Sequence, residues 1–299
     1  MIQKVLVVGG GTMGKEIALQ CARHGCEVAI FDASPAVRAG IGSGLAGLAA
    51  TLPPGLLTEA DLPAVLARIR AVETLAEGAA EADLAVECVP ENPELKRKVF
   101  RQLSEACSDR AILATNTSSL VPSMFAESCR WPERLAAFHF HLPVATSNIV
   151  DVMPHPGTSP ETMAELEAFA RRIGQIPIRY DRESHAYIFN SIFGAMQRQA
   201  IDLVLGEVAT VEDVDRAWMG IFRMPLGPFG MFDNIGLDTI AEISAYWAET
   251  LNDDAGRRRV AFLKKMTAEG KLGTKAGRGF YEYPDPAYAR PGFLSADSP

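Results

Sequence analysis

The chain has 299 residues and a formal net charge of −8; it is long enough for two domains with real cores, and with no basic tract it does not suit a nucleic-acid binder. No apolar run approaches the roughly 20 residues of a membrane span, and the first strand-like run starts too close to Met1 to leave room for a cleavable leader. The five cysteines (Cys21, Cys26, Cys88, Cys107, Cys129) form no C-x-x-C pair, so a cytoplasmic chain with reduced thiols, no metal site and no membrane partner is expected.

The first element is an apolar run, residues 5–8, that meets Gly9, Gly11 and Gly14 in G-x-G-x-x-G spacing. A helical pattern follows, then a second apolar run ending in Asp32. Gly9 permits a tight turn out of a buried strand, Gly11 lets backbone approach a pyrophosphate, and Gly14 lets the helix pack on the sheet. The helix N-terminus, with Thr12 and Met13 in the same turn, offers N–H groups to phosphate. Asp32, 18 residues past Gly14, is placed to accept ribose hydroxyls and would repel a 2′-phosphate. The cofactor read from this stretch is NAD.

A mixed helical segment with a proline turn at 52–55 comes next, and strand-like runs recur at 84–89, 111–114, 135–140, 149–153 and 176–178. A helical pattern at 160–173 ends at Gly174, as a C-cap should. The alternation predicts an α/β fold with a Rossmann-type doubly wound, mostly parallel sheet. After residue 181 strand-like runs stop, and helical patterns occupy 186–204, 211–220, 237–250 and 255–269. An NAD-binding domain over 1–183 and a smaller all-α domain over 184–299 are therefore expected. The tail from Arg290 reads as frayed.

A nicotinamide enzyme that oxidises an alcohol needs a base for the hydroxyl proton, and Lys, Tyr and His are all chemically eligible. His139 falls at the end of a strand-like run, at the edge where such sheets bind ligands. Twelve residues on, Asp151 sits in the next run. Two strands with a short connection could bring that carboxylate onto the imidazole, fixing its tautomer and stabilising the imidazolium. Spacing alone leaves open a structural histidine and a surface acid.

Taken together, the motifs resemble the L-3-hydroxyacyl-CoA dehydrogenase family over essentially the whole chain. The glycine motif and Asp32 match its NAD site. Glu87-Cys88-Val89-Pro90-Glu91-Asn92 followed by Lys96 matches its V-E-A-x-x-E-N…K segment, and Asn116-Thr117-Ser118-Ser119 matches N-T-S-S. Phe138-His139-Phe140 matches the start of H-F-F-N-P-V, Asn190 matches the asparagine of G-F-I-V-N-R, and residues 224–229 and 277–281 match two helical-domain signatures. The resemblance implies that His139 is the catalytic base, paired with Asp151 in place of a glutamate. It implies that Ser118 and Asn190 serve the substrate oxygen and the base. It also implies that Glu91 and Lys96, with Asn116, line the nicotinamide ribose and substrate entrance. Ile221-Phe222 and Met231-Phe232 are expected to form an apolar dimer surface on the helical domain, which resembles the family's homodimer.

The departures bear on substrate. Asp151 reaches roughly 1.5 Å less far than glutamate, so a strand shift, a water bridge or a weaker dyad should absorb the difference. Leu142 replaces the family asparagine and His141 a phenylalanine; on a strand His141 would share a face with His139 and could replace the lost polar substrate contact. Residues 33–67 hold only Arg38 as a cation, with Arg68 and Arg70 just beyond, which is sparse for CoA phosphates unless Lys96 or Arg97 supplies charge. Residues 87–98 resemble L-gulonate 3-dehydrogenase (lambda-crystallin), and residues 187–191 resemble bacterial diketoreductases. A β-hydroxy or β-keto substrate without CoA is thus an alternative, as is a retired dehydrogenase serving as a binding or structural protein. Hydroxyisobutyrate-type dehydrogenases, which use a catalytic lysine, are disfavoured because residues 185–204 contain none. His24 and His185 read as solvated, His155 as shaping a turn, and Arg257 to Arg259 as an ordinary helix face.

Overall fold

The computed structural model describes residues 1–250 and 252–295, in two compact units, the first ending at Ile188 and the second beginning at Phe189. The first unit runs β1 (Lys4–Val8), α1 (Thr12–Arg23), β2 (Glu27–Phe31), α2 (Pro35–Ala50), α3 (Leu62–Leu66), β3 (Ile69–Ala71), α4 (Leu75–Ala79) and β4 (Leu84–Glu87). It continues α5 (Pro93–Ala106), β5 (Ile112–Thr115), α6 (Ser123–Ala126), β6 (Leu135–Phe140), α7 (Val144–Ser147), β7 (Ile149–Pro154), α8 (Pro160–Arg172) and β8 (Ile176–Arg179). The strands form one eight-stranded sheet in the order β3-β2-β1-β4-β5-β6-β7-β8, parallel throughout except between β6 and β7.

Helices cover both faces, so the central strands are apolar on both. Val5 and Val7 of β1 join one core with Ile17 of α1 and Leu166 of α8, while Leu6 and Val8 join another with Phe100 and Leu103 of α5. The same pleat governs β6 and β7. Phe138, Phe140, Val150 and Val152 enter the first core, and Ala137 and Met153 pack with Tyr180 and Tyr187 in a separate cluster. His139 and Asp151 alternate with the first set and so share the face of the second. The parallel strands all end at one edge, where Val8, Glu87 and Thr115 lie in register.

The second unit is helical: α9 (Ile188–Leu205), α10 (Val211–Phe222), α11 (Pro228–Ile235), α12 (Leu237–Thr250) and α13 (Asp254–Ala268). Against the helical pattern from 186, α9 starts later because Ala186 and Tyr187 adopt left-handed φ of 59° and 55°. The sequence pattern also missed α11, whose Pro, Gly and Asn read as loop. The buried Asp215 carboxylate stabilises that helix by accepting from Phe229 N (2.8 Å) and Gly230 N (3.0 Å) at its first turn. Asp233, at 0% exposure, accepts from Phe280 N and Tyr281 N, and a Cβ on Gly279 would stand 2.0 Å from its Oδ1. That contact is the physical reason for glycine in the Gly277–Tyr281 segment. Arg259 is not on an ordinary helix face: it is buried between Asp202 (2.7 Å) and Asp253 (2.9 Å). No helix among the described residues is long and apolar enough to cross a membrane.

Candidate active site

The glycine turn joins β1 to α1. Gly9 has φ of +120°, and a Cβ there would stand 2.5 Å from Cys88 O. A Cβ on Gly14 would stand 1.9 Å from Gly9 O, whereas one on Gly11 would meet nothing within 4 Å. Gly9 and Gly14 thus serve the chain's own packing, and Gly11 leaves an approach open. Gly11 also caps α1 without a side chain, and the helix has no acid in its first turn. Its leading N–H groups and positive dipole end therefore suit phosphate. Thr12 is exposed and Met13 half-buried at this end. Asp32 is oriented by two backbone donors, Gly10 N to Oδ2 and Ser34 N to Oδ1, both at 2.8 Å. A carboxylate keeps further lone pairs after two such bonds, so it can still accept ribose hydroxyls. These residues fit NAD.

At the end of β4, Glu87 is fully buried and its Oε1 lies 2.7 Å from the equally buried ammonium of Lys96 on α5. Thr115 Oγ1 donates to Glu87 Oε2 at 2.8 Å and Val89 N to Oε1 at 2.8 Å. Burial still raises the Glu87 carboxyl above its ordinary range, the Lys96 charge and these donors offsetting only part of the desolvation. Lys96 also reaches Glu91 at 3.1 Å, and the hydroxyls of Thr117 and Ser119 donate to Glu91. Burial pushes the Glu91 carboxyl up, but Lys96 and the two hydroxyls outweigh it and leave it below its usual range. Lys96 therefore bridges two carboxylates and is itself 1% exposed. Asn116 is likewise committed in part, its Oδ1 accepting from Phe140 N at 2.8 Å. Ser118 is exposed on the same loop after β5.

His139 and Asp151 are register partners across the antiparallel β6–β7 pair. His139 Nδ1 lies 2.8 Å from Asp151 Oδ2, with His139 4% and Asp151 3% exposed. A direct cross-strand neighbour has its Cβ only about 4.5–5.5 Å away, so aspartate reaches and no bridge is needed. Tyr180 Oη donates to Oδ1 at 3.0 Å and accepts from Ile188 N at 2.6 Å. His141 lies past the end of β6, yet its Nε2 stands 2.9 Å from Asp151 Oδ2, the oxygen that His139 uses. Burial alone would raise the Asp151 carboxyl; hydrogen bonds from His139 and His141 bring it down to about 2. Both facing ring nitrogens therefore carry protons and donate. Desolvation lowers His139 below an ordinary histidine, and His141 adds to that, while Asp151 opposes it. The three ligand-type atoms lie within 4.8 Å of one another, a grouping that spacing in the chain did not reveal; their contacts have hydrogen-bond lengths and account for the cluster.

The remaining expectations fare unevenly. His155 is buried, with Nε2 donating to Pro132 O (2.7 Å) and Nδ1 accepting from Gly157 N (3.1 Å), so it does hold a turn. His24 is half-buried against Gln20 O at 2.9 Å and is not simply solvated, whereas His185 is exposed beside Ser119 O. Asn190 lies on α9, in the second unit. The sequence reading missed Tyr180 and the ring of Tyr187, which packs on His139 at 4.7 Å between centroids. The signal available for Tyr180 was its place one residue beyond a strand that would flank Asp151.

Residues 4–184 match the NAD-binding domain of 3-hydroxyacyl-CoA dehydrogenase, and residues 187–283 match that family's C-terminal domain. A probable 3-hydroxybutyryl-CoA dehydrogenase of Bacillus subtilis is 34% identical over 283 residues, 94% of this chain and 98% of the relative. The fatty acid oxidation complex subunit alpha of Shewanella loihica is 32% identical over 286 residues, 94% of this chain and 39% of that longer subunit. Among solved structures, a diketoreductase described as acting on dicarbonyl compounds is 34% identical with a TM-score of 0.88, covering 94% of this chain and 99% of that one. With the glycine turn, Asp32 and the histidine–carboxylate pair all in place, the chain belongs to the 3-hydroxyacyl-CoA dehydrogenase family and is an NAD-dependent oxidoreductase acting on CH–OH groups.

Proposed function

We propose that the protein interconverts a 3-hydroxyacyl and a 3-ketoacyl substrate with His139 as the acid–base residue. The observation that carries this is the buried His139–Asp151 pair at 2.8 Å, set at the sheet edge where α/β folds bind ligands. Because Nδ1–H is donated to Asp151, Nε2 is the basic nitrogen and takes the hydroxyl proton in oxidation. The imidazolium so formed faces the Asp151 carboxylate, and in reduction it returns the proton to the ketone oxygen. Bound NAD would supply the hydride-transfer chemistry at C3, as acceptor in oxidation and, as NADH, as donor in reduction. Gly11, Thr12, Met13 and Asp32 are assigned to its adenosine half, with Gly9 and Gly14 shaping the turn that holds it, and Glu91, held by Lys96, Thr117 and Ser119, to its nicotinamide half along with Asn116. The roles of Ser118 and Asn190, toward the substrate oxygen, rest on the family motifs.

An acyl-CoA thioester is the substrate that the relatives' names support. A second reading, a β-keto acid or ester without CoA, is favoured by the state of the sparse cations. Arg38 donates to Asp32 O (2.7 Å) and pairs with Glu73 (3.0 Å), Arg70 pairs with Glu77 (2.8 Å), Lys96 is buried, and Arg97 pairs with Glu94. NADH consumption with acetoacetyl-CoA beside free β-keto acids and esters decides between them; turnover of none would sink the proposal. Against it in every case stands one control: if His139→Ala keeps near-normal turnover, His139 is not the base.

We also read the helical unit as a dimerisation surface, since Ile192, Val208, Ile221 and Phe222 are 68%, 71%, 78% and 62% exposed, whereas Phe232 is buried in the helical core and does not belong to the patch. Light scattering that gives a one-chain mass at micromolar concentration would remove that idea. A cytoplasmic location is supported by five free cysteines, among which burial pushes Cys107 up to about 11 and Cys129 up to about 12, leaving both unreactive.

A further inference from the structure

Asp151 is unusual in what it carries. One carboxylate oxygen accepts from two imidazoles, His139 Nδ1 at 2.8 Å and His141 Nε2 at 2.9 Å, and the other accepts from Tyr180 Oη at 3.0 Å. The two imidazole rings meet edge to face at 4.5 Å between centroids. His139 is buried, while the His141 side chain retains 22% exposure. We infer that His141 is a positioning residue for the proposed reaction: by donating to the same oxygen that His139 uses, it fixes the short Asp151 carboxylate and divides that carboxylate's charge between two rings.

Two consequences follow from the chemistry. A carboxylate held by three donors cannot swing away from His139 as a proton moves on and off Nε2, so the general base stays aligned through the cycle. An oxygen already committed to a second N–H also gives less stabilisation to an imidazolium at His139. The pair is therefore a stronger acid than a lone His–carboxylate dyad, and the proton is released to a ketone more readily. The groups that face His139 are Asp151 from β7, His141 beyond β6, Glu91 from the loop after β4 and Tyr187 from the segment after β8, while Tyr180 holds the other oxygen of Asp151. Of these, only His141 also shares the His139 oxygen of Asp151.

The inference rests on His139 as the base, so the test separates the two. His141→Phe keeps a ring of similar size and removes the donor; His141→Gln places an amide N–H where Nε2 stood. For the Phe variant, kcat with a β-keto substrate should fall roughly tenfold, as expected for one hydrogen bond to a charged group, while NADH affinity by fluorescence titration is unchanged. The pH midpoints governed by His139 should both rise, by on the order of half a unit: reduction should persist to higher pH, and oxidation should need higher pH to begin. The Gln variant should recover most of kcat. Unchanged kcat and midpoints in His141→Phe, a loss confined to melting temperature, or failure of Gln to recover kcat would each overturn the inference. Loss of activity in His139→Ala alongside an indifferent His141→Phe would reject the positioning role alone; an active His139→Ala would reject the base itself.

Discussion

Asp151 stands directly opposite His139 across the only antiparallel pairing of the sheet's described strands, and their side chains meet at 2.8 Å. In that position an aspartate does what a longer acid would do from farther away. Replacing it by Asn keeps the volume and removes the charge, so the imidazolium loses its counter-charge and both rings lose their tautomer control. Turnover of Asp151→Asn should fall by about 10²–10⁴ with NADH affinity retained. A loss smaller than threefold would show that the pair is structural.

The same carboxyl makes a statement about stability. Its folded-state value of about 2 lies below the ordinary value of about 3.9. A depressed acid contributes stability that is present above the unfolded value and is lost as pH falls through the folded one. Urea midpoints should thus drop between about pH 4 and pH 2, and the drop should be smaller in Asp151→Asn. An equal drop in both proteins would mean that other carboxyls carry the acid sensitivity.

Two glycines separate folding from binding. A Cβ on Gly14 would overlap Gly9 O at 1.9 Å, while one on Gly11 meets nothing within 4 Å of the chain itself. Gly14→Ala should therefore lower the melting temperature strongly. Gly11→Ala should melt normally and, if the pyrophosphate lies at this turn as proposed, bind NADH at least tenfold more weakly, because its methyl would fill that approach. Unweakened NADH binding by Gly11→Ala would place the pyrophosphate elsewhere.

Lys96 is 1% exposed and faces a Glu87 that is 0% exposed. Breaking a buried pair by removing one partner leaves a stranded charge and costs about 3–5 kcal/mol. Lys96→Met should show that loss in chemical denaturation, and Lys96→Met with Glu87→Gln should regain much of it. If the double variant is no more stable than the single, the cost comes from packing of the lysine stem.

Asp32 is proposed to set the nucleotide preference. Asp32→Ser removes the carboxylate that would repel a 2′-phosphate, so KM for NAD should rise and the NADP-to-NAD ratio of kcat/KM should rise with it. An unchanged ratio would mean that selection lies in the loop beyond β2.

The elements that local chemistry determines were legible in the chain. The five later strands and α8 fall where the apolar runs and Gly174 put them, because period and end residues are properties of a few neighbours. The cofactor turn was legible for the same reason: glycine spacing, helix start and terminal acid sit within 28 residues (5 to 32). What could not be read were contacts made by residues far apart in the chain. α11 exists because Asp215, 14 residues from Phe229, caps it, and left-handed Ala186 and Tyr187 delay α9. His139 and Asp151 could be paired as a guess from strand order, but only the antiparallel register brings them face to face. That same register, with Tyr180 29 residues away from Asp151 and His141 just past the strand end, turned a two-residue expectation into a four-residue cluster. Sequence by itself determined the class of fold and the cofactor, since both rest on local backbone requirements. Tertiary structure decided which side chains share the Asp151 carboxylate, since burial and shared hydrogen bonds arise only when distant strands are laid side by side.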